Sequence, residues 1–245
     1  MPFIAGGFGG SETTTAAIRG AANGRASVVE IGVPFSDPVA DGPAIQAAYH
    51  DALETGATSD SVLGCYAAAK VDVPALAMVS YSIVFRHGVE AFCVKARQHG
   101  LSGLLCPDLP AGEAERFAEF TRGHELAPIL LVAPTTPARR REQIGKLGGG
   151  FIYYLSTSGI TGERDALPPE LAEGIGDMRQ HTDLPIAVGF GIHKPEHLRQ
   201  LQGVAEAAIV GTALVREVDR TRVDGPMAVE TAVRGFCGKL LGEHV

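Results

Sequence analysis

The 245-residue sequence lacks a basic N-terminal region followed by an apolar core, since MPFIAGGFGGSE offers only a very short apolar stretch. A secretory leader is therefore not expected. No window approaches the roughly 20 consecutive apolar residues that a bilayer span needs, so no transmembrane helix is expected either. The four cysteines, Cys65, Cys93, Cys106 and Cys237, form no CxxC pair and have no histidine at zinc-ligand spacing. They are expected to be reduced, mostly buried thiols in a cytoplasmic protein without a metal centre. Positive charge is also short: 21 Lys and Arg against 28 Asp and Glu leave a formal net charge of −7. That mean field disfavours nucleic acid or an anionic membrane as partner, while leaving room for a local pocket that takes one phosphate. Finally, no Pro/Ser-rich linker, charge block or low-complexity tract breaks the chain, which predicts one domain over residues 1–245.

What is present is a regular alternation. Eight short apolar runs have the composition of strands buried on both faces: Phe3 to Ala5, Val28 to Val33, Ala75 to Val79, Gly103 to Cys106, Pro128 to Val132, Phe151 to Leu155, Pro185 to Gly189 and Ala207 to Val210. Between them lie stretches of helical spacing such as Ser11 to Asn23, Gly88 to His99, Gly112 to His124, Leu167 to Arg179 and Pro195 to Leu201. Gly148-Gly149-Gly150 reads as a helix end feeding a strand rather than a hinge. Strict alternation over eight units predicts an α/β fold, a single (β/α)8 TIM barrel, for which about 250 residues suffice. An open doubly wound sheet would usually carry a GxGxxG turn after its first strand. Gly6-Gly7-Phe8-Gly9-Gly10 lacks that spacing.

In such a barrel the residues at strand C-termini and in the following loops face the active-site mouth. Glu30 interrupts the apolar run Val28 to Val33, which places a carboxylate inside the barrel, where burial raises its pKa and suits it to general acid/base work. Asp41, in the loop after that strand, can face the same cavity, and two carboxylates in unlike surroundings can divide the roles of proton shuttle and fixed charge. The alternative is a structural buried acid paired with a base, with Asp37 and Asp41 merely shaping Pro/Gly turns. No lysine or arginine within a strand run offers itself as that base. Late in the chain, Ser158 to Gly162, Gly189 to Ile192 and Val210 to Thr212 are glycine-rich loops after strands six, seven and eight. Glycine lets backbone N–H groups approach an anion, and the last two loops are the usual phosphate site of these barrels; tight turns are the plainer reading.

The segments VEIGVPFSDPVADGPAIQ (Val29 to Gln46), LCPDLP (Leu105 to Pro110), LVAPTT (Leu131 to Thr136), IYYLSTSGITG (Ile152 to Gly162) and VGFGI (Val188 to Ile192) resemble the tryptophan synthase α subunit over nearly the whole chain. The resemblance implies a lyase of tryptophan biosynthesis that cleaves indole-3-glycerol phosphate by a retro-aldol reaction. Glu30 then matches the general acid/base and Asp41 the carboxylate that engages the indole N–H. Tyr153, otherwise readable as one more core aromatic, matches a tyrosine beside the glutamate, and Phe3 is expected against the indole ring. Thr161 and Gly162 match a loop that closes over substrate. Gly162, Gly191, Gly211 and Thr212 match the phosphate cradle. The resemblance also implies no cofactor in this chain and, as partner, a β subunit that holds pyridoxal phosphate in an α2β2 complex. Asp37 matches a position that communicates with that subunit, although Ser-Asp-Pro is equally a common turn.

Some segments depart from the family pattern. The chain opens directly on its first strand, so the leading helix that covers the barrel floor in the family is expected to be absent. Thr212 stands where serine is usual, and Gly6 to Gly10 replaces a Gly-Asp-Pro-like turn. Ser80-Tyr81-Ser82-Ile83 replaces a tyrosine and an Asn-Pro-like pair in a loop that touches the β subunit. That change keeps two further readings open: a stand-alone lyase releasing indole, and a weakly catalytic subunit that activates its partner. His87 and His193 read as loop residues rather than catalysts.

Overall fold

The computed structural model describes residues 1–38, 41–156, 170–189 and 191–242. All eight apolar runs are strands: β1 (Phe3–Ala5), β2 (Val29–Gly32), β3 (Ala75–Met78), β4 (Gly103–Leu105), β5 (Ala127–Val132), β6 (Ile152–Leu155), β7 (Ile186–Gly189) and β8 (Ala207–Ile209). They are parallel and pair in chain order, β1 to β8. The ring closes through a parallel bridge between Pro2 and Val210, with Phe3 N–H donating to Val210 O at 2.9 Å and Val210 N–H to Met1 O at 2.9 Å. Closure removes both sheet edges and hence any row of unpaired backbone groups.

Helices cover the outside. They are α1 (Ser11–Asn23), α2 (Pro43–Glu54), α3 (Ser59–Ala69), α4 (Tyr81–His87), α5 (Val89–Gln98), α6 (Ala114–Gly123), α7 (Ala138–Leu147), α8 (Leu171–Arg179), α9 (Pro195–Leu201), α10 (Thr212–Thr221) and α11 (Pro226–Leu240). Their starts follow local chemistry. Pro43 opens α2, where its fixed φ suits the first turn and its missing N–H costs nothing. A capping box opens α3, with Ser61 N–H donating to Thr58 Oγ1 at 3.1 Å and Thr58 N–H to Ser61 Oγ at 3.0 Å. Gly88, at φ 85°, separates α4 from α5. The expected helix Gly112 to His124 instead begins with a 3₁₀ turn at Ala111–Glu113. Of the expected Leu167 to Arg179, only Leu171–Arg179 lies in a described helix, since residues 157–169 are outside the described set. Gly148 ends α7 and leads into β6, as the glycine triplet predicts.

Two packed layers result. Leu76, Leu105, Ile129, Ala187 and Ile209 fill the barrel interior, with Leu131 and Tyr153 against them. A larger cluster between sheet and helices includes Ile18, Ile31, Leu63, Phe92, Leu104, Phe117, Ile152 and Val233. Alternation along each strand sends neighbouring residues to opposite layers, as Val29 and Ile31 against Glu30 show. Met1 itself touches the interior cluster. The four cysteines are unpaired and buried. Among the described residues no helix is long and apolar enough to cross a membrane, and no cluster of metal ligands occurs.

Candidate active site

Glu30 sits in the middle of β2, in register with Phe3 of β1 and Leu76 of β3. Register partners share a sheet face, so the glutamate projects into the barrel with Leu76. It is fully buried, and neither carboxylate oxygen has a hydrogen-bond partner among the described residues. Burial is the main cause that lifts its pKa to about 8; the α-ammonium of Met1 opposes the rise and the charge of Asp41 adds to it. The alternative of a structural ion pair fails here, because no described lysine or arginine reaches Glu30.

Asp41 stands at the head of α2. Its N–H donates to Pro38 O at 3.0 Å, and Gln46 Nε2 donates to Asp41 O at 2.8 Å, so the helix's own first turn fixes its backbone. The side chain is half-buried, and burial raises its pKa to about 6. The two carboxylates therefore differ: one is enclosed and protonated near neutrality, the other is wetter and mainly ionised.

Tyrosines and glycines frame the pair. Tyr153, on β6 beside Leu131 and Ala187, has its phenol pushed well above the usual range by burial and then by the charges of Glu30 and Asp41. A Cβ at Gly189, across on β7, would lie 3.4 Å from its hydroxyl. Phe3 is buried beside Glu30, and its ring meets Tyr49 edge-on at 6.5 Å between centroids. Gly191 adopts φ 83°, a left-handed conformation that an L side chain would strain. Gly211 caps the N-terminus of α10, whose first residue, the buried Thr212, follows directly. The free N–H groups of a helix's first turn, with a hydroxyl beside them, form an anion site. Ile45 of α2 would sit 3.8 Å from a Cβ at Gly211, so α2 lies across the mouth between the carboxylates and this helix end. Thr161 and Gly162 lie outside the described residues.

Asp37 is exposed and accepts from Ser36 Oγ at 2.7 Å, a local turn contact in the loop leading to Asp41. His87 is the last residue of α4 and bonds Ile83 O of the same helix at 2.9 Å, so it is a helix residue rather than the loop residue expected, whereas His193 bonds Gly191 O at 2.9 Å within its own loop.

The altered segment Ser80 to Ile83 is ordered by a clamp from the next loop. Asp108 accepts from Ser80 Oγ and from Tyr81 N–H, each at 2.7 Å, while Tyr81 OH donates to Glu113 at 2.9 Å. Reading the sequence singles out neither Asp108 nor Tyr49. Asp108 stands in the LCPDLP motif, and its spacing gives no sign of its partner 28 residues upstream. Tyr49 belongs to the buried stripe Ile45, Ala48, Tyr49, Ala52 and reads as core.

With this geometry in view, the relatives are informative. A family model for the tryptophan synthase alpha chain matches residues 1–241. The tryptophan synthase alpha chain of Rhodopirellula baltica is 42% identical over 252 residues, covering 98% of this chain and 91% of that protein. That of Synechocystis is 40% identical over 244 residues, covering 98% and 91%. A solved structure of a mutant tryptophan synthase alpha-subunit from the hyperthermophile Pyrococcus furiosus superposes with a TM-score of 0.89 at 29% identity, covering 99% of this chain and 97% of that one. A match of that extent to the family model, agreeing with the barrel, shows that this chain belongs to the tryptophan synthase alpha chain family.

Proposed function

We propose that Glu30 and Asp41 together carry the retro-aldol cleavage of indole-3-glycerol phosphate to indole and glyceraldehyde 3-phosphate. The alpha chain of tryptophan synthase is a lyase of tryptophan biosynthesis; it carries no cofactor, pyridoxal phosphate belonging to the β subunit. The observation that supports this division of labour is the fully buried carboxylate of Glu30, without a partner among the described residues, within electrostatic reach of the half-buried Asp41.

Protonated Glu30 donates to indole C3, generating an indolenine cation whose charge falls on the ring nitrogen. Ionised Asp41 accepts a hydrogen bond from that N–H and stabilises the charge. Glu30, now a carboxylate, takes the proton of the adjacent side-chain hydroxyl; the C–C bond then breaks, the aldehyde forms and the bonding electrons return to the indole. Glu30 ends protonated, as it began. Phe3 and Tyr153 wall the indole, and Gly191, Gly211 and Thr212 hold the phosphate, with Gly162 completing the cradle and Thr161 closing over it toward Asp41.

In the wider assignment, residues 1–245 form one barrel domain that works in the cytoplasm within an α2β2 complex, and Asp37 relays between the α and β sites. The clamp of Asp108 on Ser80 and Tyr81 supports a β-coupled subunit over a stand-alone lyase, because it ties the start of α4 to the loop after β4. The test is indole release from indole-3-glycerol phosphate with and without a tryptophan synthase β subunit. Expected is slow release alone and strong stimulation by the β subunit, with Glu30→Gln inactive in both. Equal turnover without the partner would overturn the coupling, and an active Glu30→Gln would overturn the mechanism.

A further inference from the structure

Arg222 directly follows α10 and gathers three elements of the barrel mouth at one side chain. Its Nη1 donates to Asp51 Oδ1 of α2 at 3.3 Å and its Nε to Asp219 Oδ1 of α10 at 2.9 Å. The guanidinium also lies over the ring of the buried Phe8, in the loop after β1, 4.5 Å from the centroid. Asp51 completes the cluster, because its second oxygen accepts from Gly9 N–H of that same loop at 3.2 Å. The Arg222 and Asp51 side chains are only 30% and 32% exposed, so solvent and salt screen the pair less than one on the open surface. A planar fork that bonds in two directions while stacking on an aromatic face is particular to arginine.

α2 and α10 also meet near their other ends, where a Cβ at Gly211 would lie 3.8 Å from Ile45. The two helices are thus pinned to each other at their starts and near their ends. α2 follows directly on the loop that bears Asp41, and α10 begins with Thr212. Between its pins α2 rests on the barrel, where Tyr49 covers Gly32 and meets Phe3.

From this geometry we infer that Arg222 is a positioning residue, which fixes the separation of the phosphate end and the indole end of the site by locking α10 to α2. The inference rests on the reading of Asp41 and Thr212 given above. Arg222 acts through the two helices rather than on the reacting atoms. With the helices locked, a phosphate held at the start of α10 presents the indole to Asp41 in one orientation, and the second contact forms as an intramolecular event. Helices free to slide past each other admit either half of the substrate but do not hold both at once.

Arg222→Gln in the full chain tests this by NMR titration with three probes: inorganic phosphate, indole, and an indole-3-propyl phosphate that joins the two and has no bond to cleave. Expected are affinities for phosphate and for indole within about twofold of native, with the joined ligand weakened about tenfold and kcat/KM lowered by about the same factor. Arg222→Lys, which keeps the charge but not the fork, is expected to lose as much. Asp51→Asn reaches the same loss from the other side of the ion pair, and combining it with Arg222→Gln adds little, as for two residues in one interaction. Native affinity for the joined ligand would overturn the inference. So would an equal weakening of all three probes with a lowered melting temperature, which marks an ion pair that only stabilises the fold. A native chain that binds the joined ligand no better than phosphate would overturn the reading of Asp41 and Thr212, and the inference with it; the native control separates the two failures.

Discussion

Glu30 shows how much one residue's surroundings decide. The same carboxyl that titrates near 4.5 in water is held at about 8 by an apolar barrel interior that, among the described residues, offers no partner to either oxygen. Asp41, less enclosed, is held at about 6. The cycle proposed for the reaction starts from protonated Glu30 and ionised Asp41, so kcat/KM is expected to be bell-shaped. It falls on the acid side as Asp41 protonates through about pH 6, and on the alkaline side as Glu30 ionises through about pH 8. A profile of the free chain from pH 5 to 10 checks it; activity still climbing above pH 9 would show that ionised Glu30 is the working form. The role of this residue is legible in sequence because an acid inside a strand of VVEIGV is anomalous without any structure. The meeting of Tyr49 with Gly32 and Phe3 is not, because a tyrosine on a buried helical stripe gives no sign of which strand it will cover.

At the scale of elements, the site is assembled where β2, its following loop and α2 meet. β2 delivers Glu30 to the interior and ends in Gly32, which leaves space for two rings. Replacing Gly32 with Ala drives a methyl group against the Tyr49 hydroxyl and the Phe3 ring, both of which are buried. The expected cost is about 1–3 kcal/mol of stability, read from urea unfolding, together with at least a roughly tenfold loss of kcat/KM as the wall of the indole site shifts. Native values for both would mean that the rings relax at no cost. The Asp108 clamp is the second such device: one acid on the loop after β4 satisfies the backbone N–H of Tyr81 and the hydroxyl of Ser80 at the start of α4. Two bonds to one carboxyl group, each at 2.7 Å, fix the start of α4 against the neighbouring loop at the barrel rim.

For the molecule as a whole, catalysis and stability draw on the same buried carboxyl in opposite senses. Glu30 binds its proton more tightly in the folded chain, at about 8, than in the unfolded chain, near 4.5. Its contribution to stability is therefore fully present below about pH 4.5 and is lost as pH rises through about 8. Across that window the unfolded chain gains on the folded one by on the order of 1.4 kcal/mol for each step of one in pH. Glu30→Gln, which carries no titratable proton, is expected to flatten that decline. Urea unfolding at pH 6 and pH 9 measures it: the variant gains relative to the native chain at pH 9 by a few kcal/mol. Equal pH dependence of the two proteins would mean that Glu30 ionises without strain.

Much of this is open to inspection before the chain is folded. Eight apolar runs at regular spacing determine eight parallel strands, because only strands covered on both faces tolerate such composition, and the acid within VVEIGV marks the site. Periodicity also places Ser11–Asn23 and Pro195–Leu201 to the residue, since Gly10 and Pro195 punctuate their starts. What tertiary structure alone decided are the meetings between distant segments. Pro2 closes on Val210, Asp108 grips Ser80 and Tyr81, and Tyr49 crosses Gly32 to reach Phe3. Local sequence encodes periodicity and turn chemistry, which act over a few residues. The registry of one loop against another is settled by barrel closure, and so is the dielectric that an enclosed carboxyl experiences.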